Sequence, residues 1–219
     1  MRTLVILRPE PGASRSAARA SALGLNPVVC PLFVVEPVGW TAPDPDRFDA
    51  LLLTSANAVR HAGPALAALA SLPVIAVGDA TAAAAREAGL AVCRVGTSGV
   101  EALLGTVPLR KRLLHLAGED RLASQTGHSI EVVTVYCAAA IAAPPLLPLA
   151  GAVVAVHSPR ASARLAELTE DRSATMVAAI SEAAAAACGS GWERVDWAPE
   201  PSDSGLLALA ARLCQSRRR

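Results

Sequence analysis

Aromatic residues are scarce in this chain. Two phenylalanines, one tyrosine and three tryptophans account for 3% of its 219 residues. A core must therefore be built from Ala, Leu and Val within a composition that is 53% hydrophobic, and the helices should pack closely. Lysine is nearly missing: Lys111 stands alone among many arginines. The formal net charge is +1, so there is no electrostatic case for nucleic acid, and Arg217-Arg218-Arg219 reads as a solvated tail. Mean hydropathy is high at +0.40. Yet no uncharged apolar run approaches the roughly 18 residues that would span a bilayer. The apolar part of Met1–Arg8 is too short for a signal peptide and reads as a first core strand, so a cytoplasmic protein is expected. Five cysteines (Cys30, Cys93, Cys137, Cys188 and Cys214) contain no C-x-x-C and fall in apolar or helical stretches. They read as buried free thiols in a reducing compartment. Four histidines show no ligand spacing, so no metal is expected. A glycine-rich phosphate loop is also missing, which argues against a phosphosugar enzyme.

What is present is organised around Asp49-Ala-Leu-Leu-Leu-Thr-Ser-Ala-Asn57. Four apolar residues in a row read as a strand buried on both faces. The strand ends in two hydroxyls, and apolar side chains at helical spacing follow from Ala56. Ser55 is a natural cap for that helix, with Gly63-Pro64 as a break on the way to Leu69. A strand that runs through hydroxyls into a helix N-terminus offers N–H groups and the helix dipole to an anion. The pattern recurs at Gly151-Ala-Val-Val-Ala-Val-His157-Ser158-Pro159, with Pro159 at the favoured first helical position.

The recurrence belongs to an internal repeat. Thr54-Ser55 maps onto His157-Ser158 and Val77-Gly78 onto Ile180-Ser181. Ser98-Gly99 maps onto Ser204-Gly205, and the strand at Leu4 onto that at Leu113, with small changes of offset. Each half reads strand, helix, strand, connection, then strands alternating with helices. In the second half the first of these helices falls around 121–127, and Ile130–Tyr136 is an extended run ending before an Ala- and Pro-rich connection. In the first half, Ser98 to Glu101 fits a capping box. Alternation of this kind predicts parallel sheets with helices on both faces. Two consecutive domains fit the pattern, and so do two domains that exchange segments.

At this point the chain resembles the uroporphyrinogen-III synthase family. The likeness is carried by Leu7-Arg8-Pro9, Phe48-Asp49, Thr54-Ser55-Ala56-Asn57 and Ala76-Val77-Gly78 with Thr81. It continues in His115-Leu116-Ala117-Gly118, Val135-Tyr136, His157-Ser158-Pro159 and Ala179-Ile180-Ser181. The resemblance implies two similar α/β/α domains with swapped segments and a two-stranded linker. One domain would hold residues 1–36 and 140–219, the other 37–139. It also implies a cyclising lyase of haem biosynthesis that closes hydroxymethylbilane, a linear tetrapyrrole, while inverting its last ring and losing water. No cofactor is implied, and a monomer is expected. The substrate carries eight carboxylates and would lie in a cleft between domains that move about a hinge.

Tyr136, the lone tyrosine, matches the family's residue thought to donate a proton to the departing hydroxyl. Carboxylates would be held by Arg8, Thr54, Ser55, Asn57, Gly78, Thr81, Gly118, Ser158 and Ser181. Ser181 is expected to stand in for a threonine that many relatives carry in that turn, because Ala183 and Ala184 follow Glu182 here. His157 reads as a satisfied strand-end histidine. Ser55, His115 and Asp49 do not form a triad, since no nucleophile-elbow pattern surrounds the serine. The competing reading is a two-domain protein that binds a small anion without chemistry.

Overall fold

The computed structural model describes residues 1–96, 99–120, 127–145 and 148–216. In chain order the elements are β1 (Leu4–Ile6), α1 (Gly12–Ala22), β2 (Pro27–Val29), β3 (Phe33–Pro37), β4 (Ala50–Leu53), α2 (Ala56–His61), β5 (Val74–Val77), α3 (Asp79–Glu87) and β6 (Val92–Gly96). Then come α4 (Val100–Leu104), β7 (Arg112–Gly118), β8 (Ser129–Ala140), β9 (Val153–Val156), α5 (Pro159–Leu168), β10 (Met176–Ala179), α6 (Glu182–Ala187), β11 (Arg194–Trp197) and α7 (Asp203–Gln215).

These elements form two compact units: residues 1–34 with 139–219, and residues 35–138. The first unit holds a sheet ordered β11-β10-β9-β1-β2. All its pairings are parallel. Central strands β1, β9 and β10 contain only buried residues, as the unbroken apolar runs predict. One face, with Leu4, Ile6, Val153 and Ala155, packs on Ala13 and Ala20 of α1 and on Leu206, Leu209 and Leu213 of α7. Helices α5 and α6 pack on each other and against β9 and β10. Alanine at helix contacts replaces aromatic bulk, as the composition requires.

The second unit holds a sheet ordered β3-β8-β7-β4-β5-β6, parallel from β8 to β6. Leu51, Leu53, Leu114 and Leu116 face residues of α2 and α3. Leu52, Ile75 and Leu113 face Leu103 and Leu104 of α4. The repeat holds its register at the centre. Leu4 pairs with Val153 in the first sheet, and Leu113 pairs with Ala50 in the second. The first sheet thus draws β1 and β2 from the first half of the repeat and β9 to β11 from the second.

Several boundaries depart from the sequence reading. Strand β8 does not stop at Tyr136 but runs to Ala140, because the alanines there continue an extended edge pairing. After α2 the chain tightens into a 3-10 helix over Gly63–Leu69, where Pro64 cannot supply a backbone donor. Helix α7 starts before Ser204: Ser202 is its cap, its hydroxyl accepting from the Gly205 N–H. The capping-box serine Ser98 and the helix expected around 121–127 lie outside the described residues, except for Gly127; α4 follows Gly99. The cysteines are free, but not all are buried as expected. Cys93, in the edge strand β6, is exposed, and Cys137, in β8, is half-buried.

Candidate active site

The first sheet follows the doubly wound order 2-1-3-4-5; in the second, the parallel strands β8-β7-β4-β5-β6 repeat that spatial arrangement, with β8 and β7 in the places of β2 and β1 and β3 added at the edge. The winding reverses between β1 and β9 in the first sheet and between β7 and β4 in the second. Loops leaving the carboxyl ends at such a reversal diverge and open a crevice for ligands. The residues singled out from sequence cluster at those ends. Arg8 follows β1, and His157 and Ser158 follow β9. Thr54 and Ser55 follow β4, and Gly118 closes β7. Ser181 and Gly78 leave the neighbouring strands β10 and β5.

Ser55 caps α2 as predicted, and Ser158 and Ser181 cap α5 and α6 in the same way. Ser55 Oγ accepts from the Asn57 N–H at 3.2 Å, Ser158 Oγ from Ala161 at 3.1 Å, and Ser181 Oγ from Ala184 at 3.3 Å. Accepting uses a lone pair, so each hydroxyl keeps its own proton to donate outward. Thr54 Oγ1 lies 3.0 Å from His115 Nε2, bridging β4 and β7 at the reversal. Asp49 accepts instead from the Arg112 N–H at 2.7 Å, so Ser55, His115 and Asp49 do not converge. Asn57 is half-buried on the first turn of α2. Gly78 caps α3 at φ 82°, a conformation that favours glycine. Thr81 is 4% exposed and its N–H bonds to the Gly78 carbonyl, so it packs in the core rather than on a rim.

Tyr136 pairs with Gly118 across β8 and β7. Its ring lies over that glycine: a Cβ built on Gly118 would fall 2.6 Å from Tyr136 Cζ and 2.9 Å from its hydroxyl. Gly118, buried under the ring, is therefore a seat for the tyrosine rather than an open ligand surface. The phenol is half-buried, and its hydroxyl has no hydrogen-bond partner among the described residues. His61 faces it, ring centroids 6.3 Å apart and planes tilted 38°. Burial and the neighbouring Arg60 hold the His61 imidazole below its ordinary pKa, which favours the neutral ring.

In the first unit Arg8 is not a free cation. Its Nη1 donates to Asp203 Oδ1 at 3.2 Å and to Ser16 Oγ at 3.2 Å. Asp203 also accepts from Ser16 Oγ at 2.6 Å, Arg19 at 2.8 Å and His157 Nε2 at 3.0 Å. Those hydrogen bonds, led by His157, hold the Asp203 carboxyl far below its usual range. Because the carboxylate can only accept, His157 Nε2 must carry a proton. Its Nδ1 is buried without a partner among the described residues, so a second proton there would be stranded. Desolvation accordingly pushes the His157 pKa down, against the pull of Asp203.

Both shifts have the same sign in stability. An unfolded histidine takes a proton near pH ~6.5 while the folded His157 resists it, so acid favours the unfolded chain below that pH. His61 acts alike. The contribution of Asp203 is complete above the unfolded carboxyl pKa of about 3.9 and is lost as pH falls toward its depressed folded value. Urea denaturation should therefore show lower stability at pH 5.5 than at pH 7. His157→Gln, which keeps a donor toward Asp203 but does not titrate, should narrow that gap. An unchanged gap would remove His157 as its source.

His61, Ser16, Arg19 and Asp203 were not found by sequence reasoning. Asn57 and His61 are four apart on one helix face, a signal that could have drawn attention to His61. Asp203 lies 195 residues from Arg8, and no local pattern links them. Among the described residues, no three His, Cys, Asp or Glu side chains are grouped to hold a metal, and no helix is long and apolar enough to cross a membrane.

Comparison with known proteins bears on this geometry. A family model described as uroporphyrinogen-III synthase HemD matches residues 14–208. Among solved structures, the uroporphyrinogen-III synthetase from Helicobacter pylori 26695 aligns with 97% of this chain and 100% of its own, at 19% identity and a TM-score of 0.62. A mutant uroporphyrinogen III synthase from the extremely thermophilic bacterium Thermus thermophilus aligns with 98% of this chain and 100% of its own, at 21% identity and a TM-score of 0.51. At these identities the structures speak for a shared fold. None of the curated protein sequences compared matches the chain. The family model runs from α1 into α7 and takes in Tyr136, its seat and the hydroxyl-bearing turns of both sheets, and on that extent the chain belongs to the uroporphyrinogen-III synthase family.

Proposed function

We propose that this chain closes hydroxymethylbilane to uroporphyrinogen III, inverting the last ring and releasing water, with no cofactor and as a single chain in the cytoplasm. Family membership over residues 14–208 carries the reading. The chemistry needs little machinery. The terminal hydroxyl leaves as water once it receives a proton, which yields an electrophilic azafulvene driven by the pyrrole nitrogen. Ring closure later releases a proton, so the donor is restored. The protein has to fold the chain, hold its carboxylates and supply that proton.

Tyr136 is the proposed donor. Its half-buried phenol has no protein partner among the described residues, which leaves its proton available to substrate. Arg8 and the hydroxyls of Thr54, Ser55, Ser158 and Ser181 are proposed to receive carboxylates, with Asn57 and the turn at Gly78 beside them. Gly118 serves through Tyr136.

Incubation with freshly made hydroxymethylbilane, then oxidation and isomer analysis, tests the reading. Predominantly type III product supports it. Type I product alone, which forms spontaneously, would leave an anion-binding protein without this activity. Thr54→Ala combined with Ser158→Ala should raise KM about 10-fold if the turns hold carboxylates, with a stability loss near ~1 kcal/mol for the missing cap at residue 158. Unchanged KM with that stability loss would reduce both residues to local structure.

A further inference from the structure

Asp203 collects donors from three elements besides its own: Arg8 after β1, Ser16 and Arg19 on α1, and His157 after β9. Its side chain is 13% exposed and sits in the first turn of α7, where an acid is favoured by the helix dipole. Two guanidinium groups share this one carboxylate. With His157 neutral, the cluster retains one positive charge at the carboxyl ends of β1 and β9.

Arg8 is held on two sides. Nη1 is fixed by Asp203 and Ser16. The rest of the guanidinium lies against Gly12, where a Cβ would fall 2.5 Å from Nε and 2.9 Å from Nη2. Nε and Nη2 have no hydrogen-bond partner among the described residues, and the side chain is 30% exposed. A free arginine loses rotamer freedom when it binds; one already fixed at Nη1 loses less for each new bond.

We propose that Asp203 is a positioning residue that locks Arg8 at the exit of β1, so that its remaining N–H groups meet a substrate carboxylate already oriented. This rests on the reading of Arg8 as a carboxylate contact. Ser16 shares the task, since its hydroxyl donates to Asp203 and accepts from Arg8.

The test is a kinetic cycle with hydroxymethylbilane. Arg8→Ala should raise KM about 10-fold. Asp203→Asn should raise KM by a similar factor of about 10 with kcat within about twofold, because binding rather than chemistry is touched. In the Arg8→Ala background Asp203→Asn should add nothing further, as expected for residues acting through one contact. Ser16→Ala, which leaves every charge in place, should raise KM about threefold in the wild-type background alone. It serves as the second readout if Asn at position 203 weakens α7. Full, multiplicative effects in both backgrounds would overturn the proposal, as would an unchanged KM in both Asp203→Asn and Ser16→Ala. An unchanged KM in Arg8→Ala itself would instead overturn Arg8 as a carboxylate contact, and the positioning role with it.

Discussion

Tyr136→Phe is expected to lower turnover about 10²-fold or more while changing stability by less than about 1 kcal/mol. The two numbers part because of how the ring is held. Its packing surface, over Gly118 and facing His61, is common to phenylalanine. Only the hydroxyl is lost, and that hydroxyl makes no hydrogen bond to a described residue. No protein partner is stranded by its removal, so the fold has little to lose. The reaction has more to lose, since hydroxide is a poor leaving group without a proton. His61 sharpens the expectation. Held below its ordinary pKa, it is neutral near pH 7 and does not supply a competing cation beside the phenol. Equal turnover in a purified, folded Tyr136→Phe protein would end the donor role. A fall in turnover matched by a fall in stability would make the tyrosine a packing residue.

The fold was legible where physics is local. Leu51-Leu52-Leu53 and Val153-Val154-Ala155-Val156 announce buried parallel strands because both faces must be apolar. Ser55, Ser158 and Ser181 announce caps because a hydroxyl at that position satisfies an N–H that the helix cannot. The repeat could be read because both halves solve the same local problem at the same spacing. What sequence left open was which strands share a sheet: pairing partners β1 and β9 lie far apart in the chain, Leu4 beside Val153, and no local signal encodes them. The same limit hid the Asp203 cluster. Asp203 looks like an ordinary acid in a first turn, and only the folded chain brings Arg8, Ser16, Arg19 and His157 onto it. Gly118 entered through the resemblance as a carboxylate contact, and its place beneath Tyr136, whose ring its missing side chain admits, has no local signal. At Thr81 helix periodicity turns the side chain inward, which a turn read residue by residue does not reveal.

Gly118→Ala gives the second large effect, and it separates shape from chemistry. Gly118 does not need glycine for its backbone, because its φ is not in the left-handed region. Alanine is conformationally acceptable there, unlike at Gly78 with φ 82°. The obstacle is the Tyr136 ring, whose Cζ and Cε2 would lie 2.6 and 2.7 Å from the new methyl. Such a contact cannot persist, and the cheaper response is for the far end of one side chain to swing rather than for β7 and β8 to part. The phenol then leaves its place with the protein still folded. Turnover should fall about 10²-fold, to the level of Tyr136→Phe, for a stability loss of about 1 to 2 kcal/mol. The double variant Gly118→Ala with Tyr136→Phe should be no slower than either single one, since both remove the same proton from the same place. Full turnover in Gly118→Ala would show that the ring position over β7 is not the working one. Turnover losses that multiply in the double variant would give Gly118 a role in binding apart from the tyrosine.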